Sequence, residues 1–185
     1  MAALLRGRFV FLATPRTGSH SVVRALVDRC GAEDVRPPHL LLEDLPVAGG
    51  ELAFTTVRNP YEIVVIDWLR TKGPWSRKGP VEPRMSLLEY VRCWDELHVQ
   101  PGERELFAHL EVADEVMRYE SLEADFRRVM AKLGWEGVPL PHLNPTTGRR
   151  PWHEYVDRRS LEAIHQRFGH EFERAGYPLW SGSVS

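Results

Sequence analysis

The sequence predicts an α/β fold: a single-domain, three-layer sandwich around a short, mostly parallel central sheet, with a helix-rich C-terminal half. Three observations predict it. Phe9 to Ala13 is an unbroken apolar run and Leu52 to Val57 a largely apolar, β-prone one, each short enough to be a strand buried on both faces. Each runs directly into turn residues and then into apolar positions at helical spacing. From Ser86 onward helical periodicity dominates, with one further strand candidate at Val112 to Met117.

Taking the elements in order, Pro15 and Gly18 break the chain after the first strand. Ser19 is the expected N-cap of a helix in which Val22, Val23, Leu26, Val27 and Cys30 recur on one face, with Gly31 as its C-terminal stop. Strand, short Gly-containing loop and helix together aim backbone N–H groups at an anion, and the helix N-terminus adds partial positive charge. Arg16, Thr17, Ser19 and Ser21 crowd the same loop, so a phosphate or sulfate group suits it. The bare loop is equally compatible with an ordinary strand-to-helix turn rich in small residues. It is not a Walker loop, which needs a lysine after its last glycine; here Ser19 follows Gly18.

Val35 is expected on a short edge strand. Pro37 and Pro38 hold the chain extended and present His39 in a fixed direction, above an apolar turn of Leu40, Leu41, Leu42 and Leu45. The strand at Leu52 to Val57 leads to Arg58, at the carboxyl edge where open α/β sheets bind ligands. A nucleoside triphosphatase would tend to end this strand with a magnesium-binding aspartate. Asn59 is an N-cap candidate, Pro60 fits the first helical position, and Glu62 can close a capping box.

Thr71 to Arg84 is the least regular stretch, rich in glycine and proline, and reads as a flap carrying Trp75, Arg77 and Lys78. Ser86 and Glu89 form a capping box for a helix whose apolar face is Leu87, Tyr90, Val91, Trp94 and Leu97. Ser121 caps the next helix, with Leu122, Phe126, Val129, Met130 and Leu133 as its stripe and Gly134 as its end. The last helix runs from about Arg159 to Arg174 on Leu161, Ile164, Phe168 and Phe172. The domain is expected to span 1–180, with 181–185 a frayed tail.

The 185 residues suit one core, and a formal net charge of −2 argues against a surface built for a nucleic-acid polymer. Cys30 and Cys93 are far apart and no C-x-x-C occurs, so neither a disulfide framework nor a zinc site is indicated. The eight histidines show no metal-ligand spacing, and no metal is assigned. The apolar N-terminal residues run into the anion loop, so they are not expected to be a cleaved signal, and no stretch is long enough to span a membrane. A cytoplasmic protein without membrane partners is the expectation.

Pro15-Arg16-Thr17-Gly18-Ser19 resembles the 5′-phosphosulfate loop, P-[KR]-[ST]-G-[ST], of sulfotransferases that use 3′-phosphoadenosine 5′-phosphosulfate (PAPS). Arg58-Asn59-Pro60-Tyr61 resembles their 3′-phosphate motif, and Arg118-Tyr119-Glu120-Ser121-Leu122 is similar to a later element of the family. The resemblance covers nearly the whole chain, and the first two motifs carry its specificity. It implies a P-loop-like fold, PAPS as sulfuryl donor, adenosine 3′,5′-bisphosphate (PAP) as product, and a small-molecule or carbohydrate acceptor. It implies donor contacts from Arg16, Thr17, Gly18, Ser19, His20, Ser21 and Arg58, Tyr119 near the adenine, and Arg149 or Arg150 from a late basic loop. Arg16 would also stabilise charge on the bridging and leaving oxygens. His39 holds the position of the general base, with Glu43 and Asp44 as competitors; His98 and His109 are read in or near the middle helices and His165 and His170 in the last.

The chain departs from the family at Ile66, where a serine usually completes the 3′-phosphate contact, at His20, where threonine is commoner, and in lacking an R-K-G triplet near Arg149. Two other functions fit the same outline: a small-molecule kinase, and a non-catalytic nucleotide-binding module.

Overall fold

The computed structural model describes residues 2–35, 49–71, 85–98, 104–143 and 149–182. His39, Glu43, Asp44, the flap residues Trp75, Arg77 and Lys78, and Thr146, Thr147 and Gly148 lie outside the described residues. The elements are β1 (Ala2–Leu5), β2 (Phe9–Leu12), α1 (Ser19–Cys30), β3 (Glu33–Val35), β4 (Leu52–Val57), α2 (Pro60–Thr71), α3 (Leu87–Arg92), α4 (Trp94–Leu97), β5 (Glu115–Arg118), α5 (Leu122–Lys132) and α6 (Arg158–Arg174). The chain is α/β, and its described parts fall into two compact units, 1–58 with 101–145 and 59–100 with 146–185.

The first unit holds a five-stranded sheet in the order β3-β1-β2-β4-β5. The inner pairs β2–β4 (Phe9 opposite Leu52 through Leu12 opposite Thr55) and β4–β5 (Phe54 opposite Glu115 through Val57 opposite Arg118) are parallel. The pairs β1–β2 and β1–β3 are antiparallel, so the sheet is mixed rather than mostly parallel. The cause is a hairpin absent from the sequence expectation. Ala2 to Leu5 forms a strand of its own, and a turn through Gly7 (φ +69°) reverses the chain, closed by the Arg8 N–H on the Leu5 carbonyl at 3.0 Å.

Helices α1 and α5 pack on one face of this sheet. Phe9, Phe11, Phe54 and Met117 from the strands meet Val22, Ala25 and Leu26 of α1 and Phe126, Val129 and Met130 of α5, all buried. Each of these side chains larger than alanine contributes on the order of 1.5–3 kcal/mol relative to exposure. Ala2, Leu4, Val10, Leu12 and Ala53 form a separate buried cluster. The edge strand β5 is protected: Arg128 donates to the Val116 carbonyl and pairs with Glu115, which Lys132 also engages.

The second unit is helical. α3 opens with the expected capping box, Glu89 N–H to Ser86 Oγ at 3.2 Å and Ser86 N–H to Glu89 at 2.7 Å. Cys93 interrupts the predicted continuous helix, leaving α4 as a single turn. α6 begins at Asp157, whose carboxylate accepts the Ser160 N–H at 2.7 Å, and it buries Leu161, Ile164, Phe168 and Phe172 as the periodicity predicts. Tyr61 of α2 stacks on Trp152 with ring centroids 4.1 Å apart and meets Phe172 at 4.5 Å. Tyr90 of α3 and His98 after α4 both donate to Asp67 of α2, at 2.7 and 3.0 Å. No helix among the described residues is long and apolar enough to cross a membrane.

Candidate anion-binding site

The site lies in the first unit, at the carboxyl ends of β2 and β4, where the loop 13–18 leads into α1. Its backbone is unusual in two places. Arg16 has φ +66°, a left-handed conformation that costs a side-chain-bearing residue roughly 1–2 kcal/mol. Gly18 has φ +78°, and a Cβ there would lie 2.7 Å from Leu122 Cδ2 and 3.2 Å from the Tyr119 ring. Only glycine satisfies both the angle and the approach of Tyr119.

A threonine network fixes this shape. Thr55 Oγ1 donates to the Leu12 carbonyl at 2.6 Å, which leaves Thr14 Oγ1 as donor to Thr55 Oγ1 at 3.1 Å. Thr17 Oγ1 donates to the Thr14 carbonyl at 2.7 Å, so the Thr56 hydroxyl donates to Thr17. All four are buried. This network ties the loop to β4 and was not anticipated from the sequence. The available signal is the pair Thr55-Thr56 at the end of an otherwise apolar strand, in register with Leu12 across the parallel pair.

The sequence expectation for Ser19 is corrected. The N-cap of α1 is Gly18, with no side-chain cap; Ser19 is the first helical residue and is buried. A glycine in the left-handed conformation has no side-chain oxygen to offer the first turn. The first N–H groups of an α-helix have no acceptor within the helix, and here no side chain at the N-cap takes one, so the start of the 12-residue α1 has the donors and partial positive charge that suit an anion.

Side chains divide between cradle and scaffold. Thr17 contributes its N–H to the cradle, since its hydroxyl is committed to Thr14 and Thr56. Ser21 Oγ accepts the Leu143 N–H at 3.1 Å, which fastens the segment after α5 beside the first turn of α1. His20 is exposed and Arg16 partly exposed.

Arg58 directly follows β4, at the sheet's carboxyl edge as the sequence predicts, and is buried. Its Nη1 donates to the Arg16 carbonyl at 3.1 Å, and its guanidinium lies 3.8 Å from the Tyr119 ring centroid. The same ring touches the space a Gly18 Cβ would occupy. Tyr119 sits on a 3-10 turn following β5, held where Asp125 accepts the Arg118 N–H at 2.9 Å and the Ser121 hydroxyl at 2.9 Å. Those bonds, with Arg128, hold the Asp125 carboxyl below its ordinary range against the opposing effect of burial, its largest single influence. Arg16, Gly18, Arg58 and Tyr119, which come from three separate motifs, therefore form one contiguous cluster.

Arg149 and Arg150 are found in the second unit. Arg149 pairs with Glu62, and Arg150 lies over the Tyr155 ring at 4.8 Å and 3.6 Å from Glu154. The Glu62 carboxylate has Arg149 as a partner. Asn59 caps as expected, Oδ1 accepting the Tyr61 N–H at 3.0 Å. Ile66, where the family resemblance leads one to expect serine, is a partly buried residue of α2. His109 lies in a turn ahead of a short 3-10 segment and is 7% exposed. No family model, curated protein or solved structure matches this chain.

Proposed function

We propose that the chain is a PAPS-dependent sulfotransferase of P-loop-like fold that transfers a sulfuryl group to an acceptor hydroxyl. The observation that carries this is the convergence of Arg16, Gly18, Arg58 and Tyr119 on the N-terminus of α1. Residues of three motifs that lie far apart in the sequence are neighbours there. The glycine cradle and the N–H groups of the helix start suit the 5′-phosphosulfate, and the Arg58 guanidinium suits the 3′-phosphate.

In this function the acceptor oxygen forms a bond to sulfur while the bond from sulfur to the bridging 5′-phosphate oxygen breaks. PAP leaves and His39 takes the acceptor proton. Arg16 and the loop N–H groups oppose the negative charge that grows on the bridging and leaving oxygens. A unit charge pair ~4 Å apart interacts by about 4 kcal/mol at an effective dielectric of ~20, so one arginine in this position has a large effect on rate. The transferred group carries less charge than a phosphoryl group, which relaxes the demand for a metal to neutralise it.

The test is turnover of labelled PAPS over a panel of hydroxyl acceptors, with ATP as the competing donor. Transfer from PAPS and none from ATP is expected. Transfer from ATP alone makes the chain a kinase, and tight PAP binding without turnover makes it a binding module. His39→Ala should lower turnover by ~10²–10⁴-fold and leave PAP affinity nearly unchanged. Retained turnover in that variant moves the base to Glu43 or Asp44.

A further inference from the structure

Arg58 touches the anion loop directly as well as facing the place assigned to a 3′-phosphate. Its Nη1 donates to the Arg16 carbonyl at 3.1 Å, across 42 residues of sequence. The meeting follows from register: β2 and β4 run parallel with Leu12 opposite Thr55, so the segments that leave the two strands emerge at one edge of the sheet. Among the described residues Arg16 is also the only one other than glycine with a positive φ, at +66°. A residue with a side chain keeps such an angle only where its surroundings hold it there.

We propose that Arg58 is a positioning residue for the anion loop, and that its bond to the Arg16 carbonyl holds the Arg16–Thr17 peptide plane in the left-handed turn that opens α1. The inference rests on the proposed function and deepens it, by giving Arg58 a task that needs no 3′-phosphate. A trans peptide points its carbonyl and the N–H that follows in opposite directions. Holding the Arg16 carbonyl therefore fixes the direction of the Thr17 N–H, away from Arg58 and on the cradle side of the plane. The bond is charge-assisted, and its donor is itself steadied: Arg58 is buried and lies 3.8 Å from the Tyr119 ring centroid. The Thr17 hydroxyl, on the Thr14 carbonyl and Thr56, secures the next residue but leaves the Arg16 carbonyl to Arg58. A guanidinium carries five N–H donors, so holding the loop and reading a phosphate are compatible tasks. One side chain then couples the two ends of the donor, and losing it weakens even a ligand that has no 3′-phosphate.

The experiment compares two backgrounds that differ only in the cost of the left-handed angle. Arg16→Ala keeps that cost and Arg16→Gly removes it, while both lack the Arg16 charge. AMP, which has no 3′-phosphate, is titrated by calorimetry into each background, with Arg58 present and with Arg58→Ala. In Arg16→Ala the loss of Arg58 should weaken AMP by at least about fivefold, because the competent loop becomes a minor population. In Arg16→Gly the same loss should weaken AMP by no more than about twofold. Equal losses in the two backgrounds overturn the proposal, since they make Arg58 a plain ligand contact or a general support of the fold. The loop is also read without ligand by NMR, because a residue at positive φ shows a strong intraresidue Hα–HN nuclear Overhauser effect. Residue 16 should show it in the wild type and lose most of it in Arg58→Ala; an unchanged effect overturns the proposal. Arg58→Met, which keeps an apolar stem and has no side-chain N–H, takes the place of Arg58→Ala in both measurements if the alanine variant does not fold. A wild type that binds neither PAP nor AMP overturns the sulfotransferase function, and the ligand-free measurement then decides the role of Arg58 by itself.

Discussion

Replacing Gly18 by alanine separates backbone strain from the packing that assembles the site. At φ +78° any side-chain-bearing residue pays roughly 1–2 kcal/mol. Gly31 supplies the control. It has φ +71°, ends the same helix, and has nothing within 4 Å of where its Cβ would stand. Gly31→Ala should therefore cost about 1–2 kcal/mol in urea unfolding and leave ligand binding alone. Gly18→Ala carries the same strain plus contacts of 2.7 Å to Leu122 Cδ2 and 3.2–3.3 Å to the Tyr119 ring. Leu122 yields through its rotamer, but Tyr119 is also the surface on which Arg58 rests at 3.8 Å. Displacing that ring disturbs the guanidinium assigned to the 3′-phosphate, so PAP affinity should fall by at least tenfold, about 1.4 kcal/mol. The assay is calorimetric titration of PAP on both variants, alongside unfolding curves for each. Gly18→Ala binding PAP as tightly as wild type refutes the coupling of Gly18, Tyr119 and Arg58. So does an equal loss of affinity in Gly31→Ala.

Two further predictions concern the helical unit. Asp67→Ala removes the acceptor shared by Tyr90 and His98 at 2.7 and 3.0 Å, and should destabilise the fold by about 1–3 kcal/mol for each donor affected; an unfolding curve within 0.5 kcal/mol of wild type contradicts the network. His165 Nε2 is hydrogen-bonded to the Tyr61 hydroxyl, which also accepts the Trp180 backbone N–H at 2.7 Å, and burial holds the imidazole below its ordinary value of about 6.5. The unfolded chain then gains this proton at higher pH than the folded one. The contribution is complete above about pH 6.5 and is lost as pH falls through the folded value. Urea unfolding between pH 5 and 7 should show lower stability on the acid side, with a shallower slope in His165→Gln; identical slopes contradict it.

The legible parts of the molecule were those where local chemistry and tertiary context agree. The stripe of α6, the Ser86–Glu89 box, the Asn59 cap and the placement of Arg58 after β4 all follow from residue spacing. β1 did not, because Ala2, Leu4 and Leu5 favour helix by intrinsic propensity, and only pairing with β2 and β3 makes them a strand. Ser19 reads as a cap from its neighbours, yet the left-handed turn at Gly18 moves the helix start back by one residue and turns that serine inward. β5 begins at Glu115, later than the apolar run at Val112 suggests, because Leu110 to Val112 close a 3-10 turn first.

Of the candidate site, Arg16, Gly18, Arg58 and Tyr119 were found from motifs, and the cluster joins them. The threonine network was not found, since hydroxyl partners 39 to 43 residues apart are set by strand register, which single-chain spacing does not encode. Arg149 and Arg150 were read from the resemblance to a late basic loop of the family, and each has a carboxylate of its own unit as neighbour.

The most direct test of the central claim, that Arg58 reads a 3′-phosphate beside an anion loop, is a comparison of PAP with AMP. The two ligands share adenosine and a 5′-phosphate and differ by the 3′-phosphate. Titrated by calorimetry into the wild type, PAP should bind at least tenfold more tightly than AMP, a margin of about 1.4 kcal/mol or more for one charge-assisted contact. In Arg58→Ala that margin should shrink to within about twofold. Equal affinity of the wild type for PAP and AMP, or a preference for PAP that survives the loss of Arg58, contradicts the account.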